Sequence, residues 1–116
     1  MTVWIALALS VFVTVITALA GRGTITANGL VGIRTRATQS SDAAWRAGHR
    51  AATPVLVGLT IVTAVAAVIV LVATRDSSSD ATNTAGLWVL ALVGIGIVVA
   101  AVRANSVAGV TDPDDL

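Results

Sequence analysis

The chain has 116 residues, 56% of them hydrophobic and 11% charged, with a mean hydropathy of +0.92 and a formal net charge of +1. A water-soluble domain of this size cannot hide so much apolar surface. The lack of cysteine excludes a disulfide framework, thiol catalysis and a Cys-based metal site.

The apolar residues come in three blocks, 3–20, 55–73 and 87–102. Each approaches the roughly 20 helical residues that cross about 30 Å of hydrocarbon. Inside lipid every backbone polar group must bond internally, so these blocks are helices despite their valines and isoleucines. A membrane β-barrel would need strands of about 10 residues with alternating polarity, and none is present. The expected fold is all-α: an integral membrane three-helix bundle, one membrane domain over 1–116. Its spans lie at about 2–20, 54–74 and 86–103, with a motif loop at 21–53 and an acidic tail at 104–116.

In the first span, Ala18-Leu19-Ala20 resembles a signal-peptide cleavage site. No basic segment precedes the run, and it is longer than a signal core, so it is read as a retained span. Ser10, Thr14 and Thr17 share one face and are candidates for helix packing through close approach and cross-helix hydrogen bonds.

The polar segment that follows carries five of the seven arginines and the single histidine. Asn28-Gly29 is a tight-turn dipeptide, compatible with a short hairpin or a re-entrant turn at the interface. Arg34 and Arg36 are two apart; in an extended segment both point the same way and can fork onto a phosphate or carboxylate. Their plain alternative role is to orient the spans. From Ser41 a short amphipathic helix is expected, capped by Ser40 or Ser41, with Asp42 at its positive end and an Asp42–Arg46 ion pair. On a helical wheel Asp42, Arg46, His49, Arg50 and Thr53 share the polar side, and Trp45, Gly48 and the alanines share the other. Such a helix lies at the membrane surface with Trp45 as an interfacial anchor. His49 reads as a headgroup-level polar residue more readily than as a pH sensor, having no partner acid or second histidine.

Pro54 suits the first turn of the second span. Thr60 and Thr63 there, and Gly94, Gly96 and Ala100 in the third, are further packing candidates. The loop 75–85 is turn-rich and polar. Six arginines fall on one side of the bilayer and only Arg75 on the other. The positive-inside rule then puts the motif loop and the C-terminus in the cytoplasm and the N-terminus outside.

No ionisable residue interrupts the spans, which argues against proton-coupled transport. There is no acid–base pair, nucleophile elbow, phosphate loop or zinc motif, so neither enzymatic activity nor a cofactor or metal is expected. The basic loop is too short and too near lipid for nucleic acid.

Within the loop, Asn28, Gly32-Ile33-Arg34-Thr35, Thr38, Ser40-Ser41, Trp45 and His49-Arg50 stand in an order that resembles the SdpI/YfhL family of bacterial membrane proteins. The family often has Pro where this chain has Arg36, a more acidic start to the following helix, and in its best-known member more spans; this chain is similar to a minimal version. The resemblance implies a protein of the bacterial plasma membrane with an immunity or signalling role: protection against a secreted toxic peptide, or retention of a cytoplasmic regulator at the membrane. Asn28, Gly32, Arg34, Thr35, Arg36, Trp45, Arg46, His49 and Arg50 are the candidate residues for binding a partner or lipid headgroups. The alternative is a small accessory or scaffold subunit, self-associated or part of a larger membrane complex, held by its small-residue faces.

Overall fold

Three helices account for most of the chain in the computed structural model, which describes residues 2–26 and 32–111. They are α1 (Thr2–Gly21), α2 (Asp42–Ala73) and α3 (Ser79–Gly109), with a single 3-10 turn at Thr38–Ser40 just before α2. All three are long and apolar enough to cross a membrane. No strand occurs among the described residues. The tight turn at Asn28-Gly29 and the end of the acidic tail lie outside them.

The bundle is built with small residues inside and large ones outside. Its buried positions are Val3, Ala6, Ser10, Thr17 and Ala20 on α1, Ala52, Leu56, Leu59, Thr63 and Ala67 on α2, and Val89, Val93, Ala100 and Ala104 on α3. The outer surface carries Phe12, Ile61, Val68, Ile95 and Val98, each about three-fifths exposed at 60–64%. Lipid is as apolar as leucine, so close helix packing selects small and hydroxylated side chains instead. At Gly96 an added Cβ would lie 2.5 Å from Leu59 Cδ1, so α2 and α3 touch there. At Gly86 it would lie 2.9 Å from the backbone N of Val3, which joins α1 to α3 at the opposite end from the motif loop. Thr14 Oγ1 and Thr60 Oγ1 are 2.9 Å apart across the α1–α2 contact. Thr63 Oγ1 donates within its own helix to Leu59 O at 2.7 Å. Gly94 faces open space, with nothing within 4 Å of an added Cβ, and so takes no part in packing within the bundle.

Two expected boundaries are corrected. The second helix begins at Asp42, capped by Ser41 Oγ, which accepts from Ala44 N–H at 3.0 Å, and runs unbroken through Pro54. The separate amphipathic helix of the motif loop is therefore the first part of α2. At 32 residues, α2 is about 48 Å long, against a hydrocarbon core of about 30 Å, so its first turns stand clear of the apolar run that starts at Val55. Pro54 leaves the Arg50 carbonyl without its usual donor, a loss tolerated where tertiary packing holds both flanks. Likewise α3 starts at Ser79, capped by Ser78 Oγ on Ala81 N–H at 3.2 Å, and continues to Gly109. Its polar first turns lie outside the apolar run that starts at Leu87, where composition no longer marks a helix.

Candidate functional site

Residues 32–38 fold back over the start of α2. Gly32 makes this approach possible in two ways. Its φ is +97°, a conformation that side chains disfavour. An added Cβ would also lie 2.9 Å from both His49 Nε2 and Trp45 Cη2. The next residue docks directly: Ile33 N–H donates to His49 Nε2 at 2.8 Å. Because Nε2 accepts, the ring proton sits on Nδ1, which donates to Trp45 O at 2.7 Å. His49 is thus a neutral, two-ended bracket between the loop and the helix. Its ring lies 4.3 Å from that of Trp45, centroid to centroid, at 43°. Burial pushes its pKa below the usual histidine value, against the raising effect of the Trp45 backbone bond.

Thr38 holds the rest of the turn. Its Oγ1 donates to Ile33 O at 2.8 Å and accepts from Thr35 N–H at 2.9 Å, while Thr35 Oγ1 accepts from Thr38 N–H at 3.1 Å. Gln39 Nε2 adds a longer bond to Arg34 O at 3.3 Å. On the other flank, Trp45 Nε1 donates to Ile25 O at 2.8 Å and Arg50 Nε donates to Gly21 O at 2.8 Å, fixing the exit from α1. Arg50 thereby satisfies a carbonyl left over at the C-terminus of α1, where a positive charge is also favoured. Gly48 lets α3 close on the site from behind; an added Cβ there would lie 2.9 Å from Ala104 O.

The sequence-predicted residues separate into two sets. Trp45, His49, Gly32 and Thr35 form the bracket, Trp45 and His49 being only 1% and 0% exposed. Trp45 is therefore a buried strut and not an interfacial anchor, and His49 belongs to the packed side of the helix, not to its polar side. Arg34 and Arg36 are exposed, and their guanidiniums make no hydrogen bond or ion pair with another described residue. Arg46 lies along the Gly23 turn. The expected Asp42–Arg46 pair does not form; the one ion pair among the described residues is Arg75–Asp76, 3.8 Å, at the opposite end of the bundle. Asn28 lies outside the described residues. Thr38, Gln39 and Gly48 complete the site; the Thr35-x-x-Thr38 spacing and a lone glycine inside a helical pattern are the signals that mark them.

The outcome is a turn held by side-chain bonds to its backbone, with its two arginine guanidiniums left over. Asp42 is the one acid among the described residues at this end, against Arg22, Arg34, Arg36, Arg46, Arg50 and Arg103. Such a surface attracts anions.

A model of the SdpI/YfhL protein family matches residues 24–109. No curated protein matches the chain, and no solved structure does.

Proposed function

The chain belongs to the SdpI/YfhL family, a membrane-protein family, and from that premise we propose an immunity or signalling role for it, exercised without catalysis. In this reading the arginine-rich end faces the cytoplasm, as the six-to-one distribution of arginines favours. The protein protects its bacterial producer from a secreted toxic peptide, holds a cytoplasmic regulator at the plasma membrane, or does both. The observation that supports it is the bracketed turn at 32–38. A backbone held by His49 and Thr38 presents Arg34 and Arg36 exposed and with unpaired guanidiniums, both available to carboxylates of an acidic partner segment. Preorganisation of this kind lowers the ordering cost of binding.

The test pairs survival with topology. Arg34→Ala and Arg36→Ala are expected to abolish protection, or co-purification of the regulator, while the protein still accumulates in the membrane. An impermeant thiol reagent on intact cells is expected to miss a cysteine placed at exposed Gln39 and to label one at Ser77. The reverse labelling pattern, or full function of both arginine variants, overturns the proposal.

The accessory-subunit alternative draws on a different observation: Gly58 and Gly94 face outward with nothing within 4 Å. Leucine at either position would then weaken assembly with another membrane protein and leave the arginine variants mild.

A further inference from the structure

At the arginine-rich end, α1 and α3 part on either side of the 32–35 turn. Ile33 packs partly against the core between the helices. Outside it lies a groove of about 390 Å³, walled by Phe12, Ile16 and Thr17 of α1 and by Ile97 and Ala101 of α3, and headed by Arg34 and Thr35. That volume is within the range of roughly 300–1,000 Å³ typical of ligand sites. From Phe12 to Thr17 the wall covers about 8 Å of helix rise.

Three features define what fits. The walls are apolar, and Phe12 is 60% exposed to the surroundings of the bundle, so the groove opens sideways onto lipid. Arg34 at its head is a cation with no partner among the described residues. Thr17 is 1% exposed, and its Oγ1 is buried without a hydrogen-bond partner, unlike the hydroxyls of Ser10 and Thr14 on the same helix face. An orphaned hydroxyl in lipid is costly. An occupant that satisfies all three is anionic at one end and carries hydrocarbon at the other. A free anion would use only the head of the groove, and a neutral lipid only its walls.

We infer that the groove between α1 and α3 is a lateral site for one anionic phospholipid, with its phosphate on Arg34 and the upper part of an acyl chain along Phe12, Ile16 and Ile97. The glycerol ester oxygens fall at the level where Thr17 can donate to them. Arg34 is shared with the proposed partner site, so lipid and partner would compete for it, and lipid retention is therefore measured on the isolated protein; the lipid site does not depend on which way the bundle faces.

Native mass spectrometry of the full chain in detergent tests this, titrating phosphatidylglycerol and diacylglycerol of identical chains, with inorganic phosphate as a competitor. One phosphatidylglycerol is expected to be retained over diacylglycerol, which lacks the phosphate, by about tenfold or more, the scale of a charge-assisted hydrogen bond. Arg34→Gln is expected to erase that preference, and Ala101→Trp, which fills the groove from its outer wall, to remove the retained lipid. Helical content checks that both variants are folded. Arg75→Gln, at the far end, should change nothing. Equal retention of the two lipids, an intact preference in Arg34→Gln or Ala101→Trp, or complete displacement by inorganic phosphate would each overturn the assignment.

Discussion

Gly32→Ala is the sharpest single test of the bracket. The substitution adds one methyl group at a backbone with φ of +97°. An alanine held at positive φ costs about 1–2 kcal/mol. The methyl would sit 2.9 Å from His49 Nε2 and Trp45 Cη2 and 3.0 Å from Trp45 Cζ2. None of these atoms is the far end of a flexible chain, since both rings are buried and tied by hydrogen bonds. The loop must therefore lift. Lifting breaks the Ile33–His49 bond and leaves a buried ring nitrogen unsatisfied, a further cost of about 1–3 kcal/mol. The two terms together amount to about 2–5 kcal/mol, enough to open the turn without unfolding the helices. Trp4 and Trp88 are 56% and 76% exposed, so replacing both with Phe leaves Trp45 as the sole reporter at little structural cost. In that background Gly32→Ala should shift Trp45 emission and raise amide exchange at Ile33 and Thr35, while far-ultraviolet dichroism holds. Unchanged emission and exchange would refute the steric argument. Gly94→Ala is the control: its added methyl meets nothing within 4 Å, and helix propensity favours the change by up to about 1 kcal/mol.

Other parts of the structure carry their own expectations. The folded state lowers the pKa of His49 below the ordinary histidine value of 6.5, so it binds fewer protons than the open state. The stabilisation is therefore complete well above that value and declines as pH falls through it toward the lower folded pKa; the protection of the Ile33 amide, its exchange rate corrected for the intrinsic slowing of exchange in acid, should fall over that interval and show no such fall in His49→Gln. Thr38→Val keeps the shape but leaves Ile33 O and Thr35 N–H without their partner, costing about 1–3 kcal/mol in loop stability by the same exchange assay. Gly96→Leu drives a side chain into Leu59; thermal melting in detergent should show a loss of at least about 1–3 kcal/mol, with Gly94→Leu near neutral as a monomer.

How far the helices could be read from the sequence depended on which solvent surrounds each part. Inside the bilayer the rule is compositional, and the three apolar blocks coincide with helices. Beyond it the rule fails in both directions along the same helix. Asp42 to Thr53 and Ser79 to Ala85 carry no apolar run, yet they continue α2 and α3 because capping serines and contacts with neighbouring elements sustain them. Pro54 marks a helix start only if nothing upstream is held. Here Ala44, Gly48 and Ala52 are buried, so the chain is fixed before the proline and the helix passes through it.

The site was legible as a list of residues but not as an arrangement. Its motif order pointed to Gly32, Arg34, Thr35, Trp45 and His49, and the two exposed arginines were evident from charge. What no wheel could supply was the sorting of His49. It lies only about 40° around the helix from Trp45, on the border between the polar and packed sides. Its burial is decided by a turn that arrives from sixteen residues upstream. That turn is held down only because Gly32 lacks a side chain and because Thr38 occupies the carbonyl and amide groups that water would otherwise compete for. The two sets of residues are thus coupled: Thr38 and Gln39 engage the Ile33, Thr35 and Arg34 carbonyls, His49 holds the Ile33 amide, and the nearby carbonyl freed at the end of α1 is taken by Arg50, so the turn that carries the guanidiniums of Arg34 and Arg36 is itself held by side chains other than theirs. Arginines that the turn cannot neutralise remain available to an outside anion, so variants of His49, Gly32 or Thr38 should weaken anion recognition without touching either arginine. Loss of binding in Thr38→Val with both guanidiniums intact would demonstrate that coupling, and undiminished binding there would refute it.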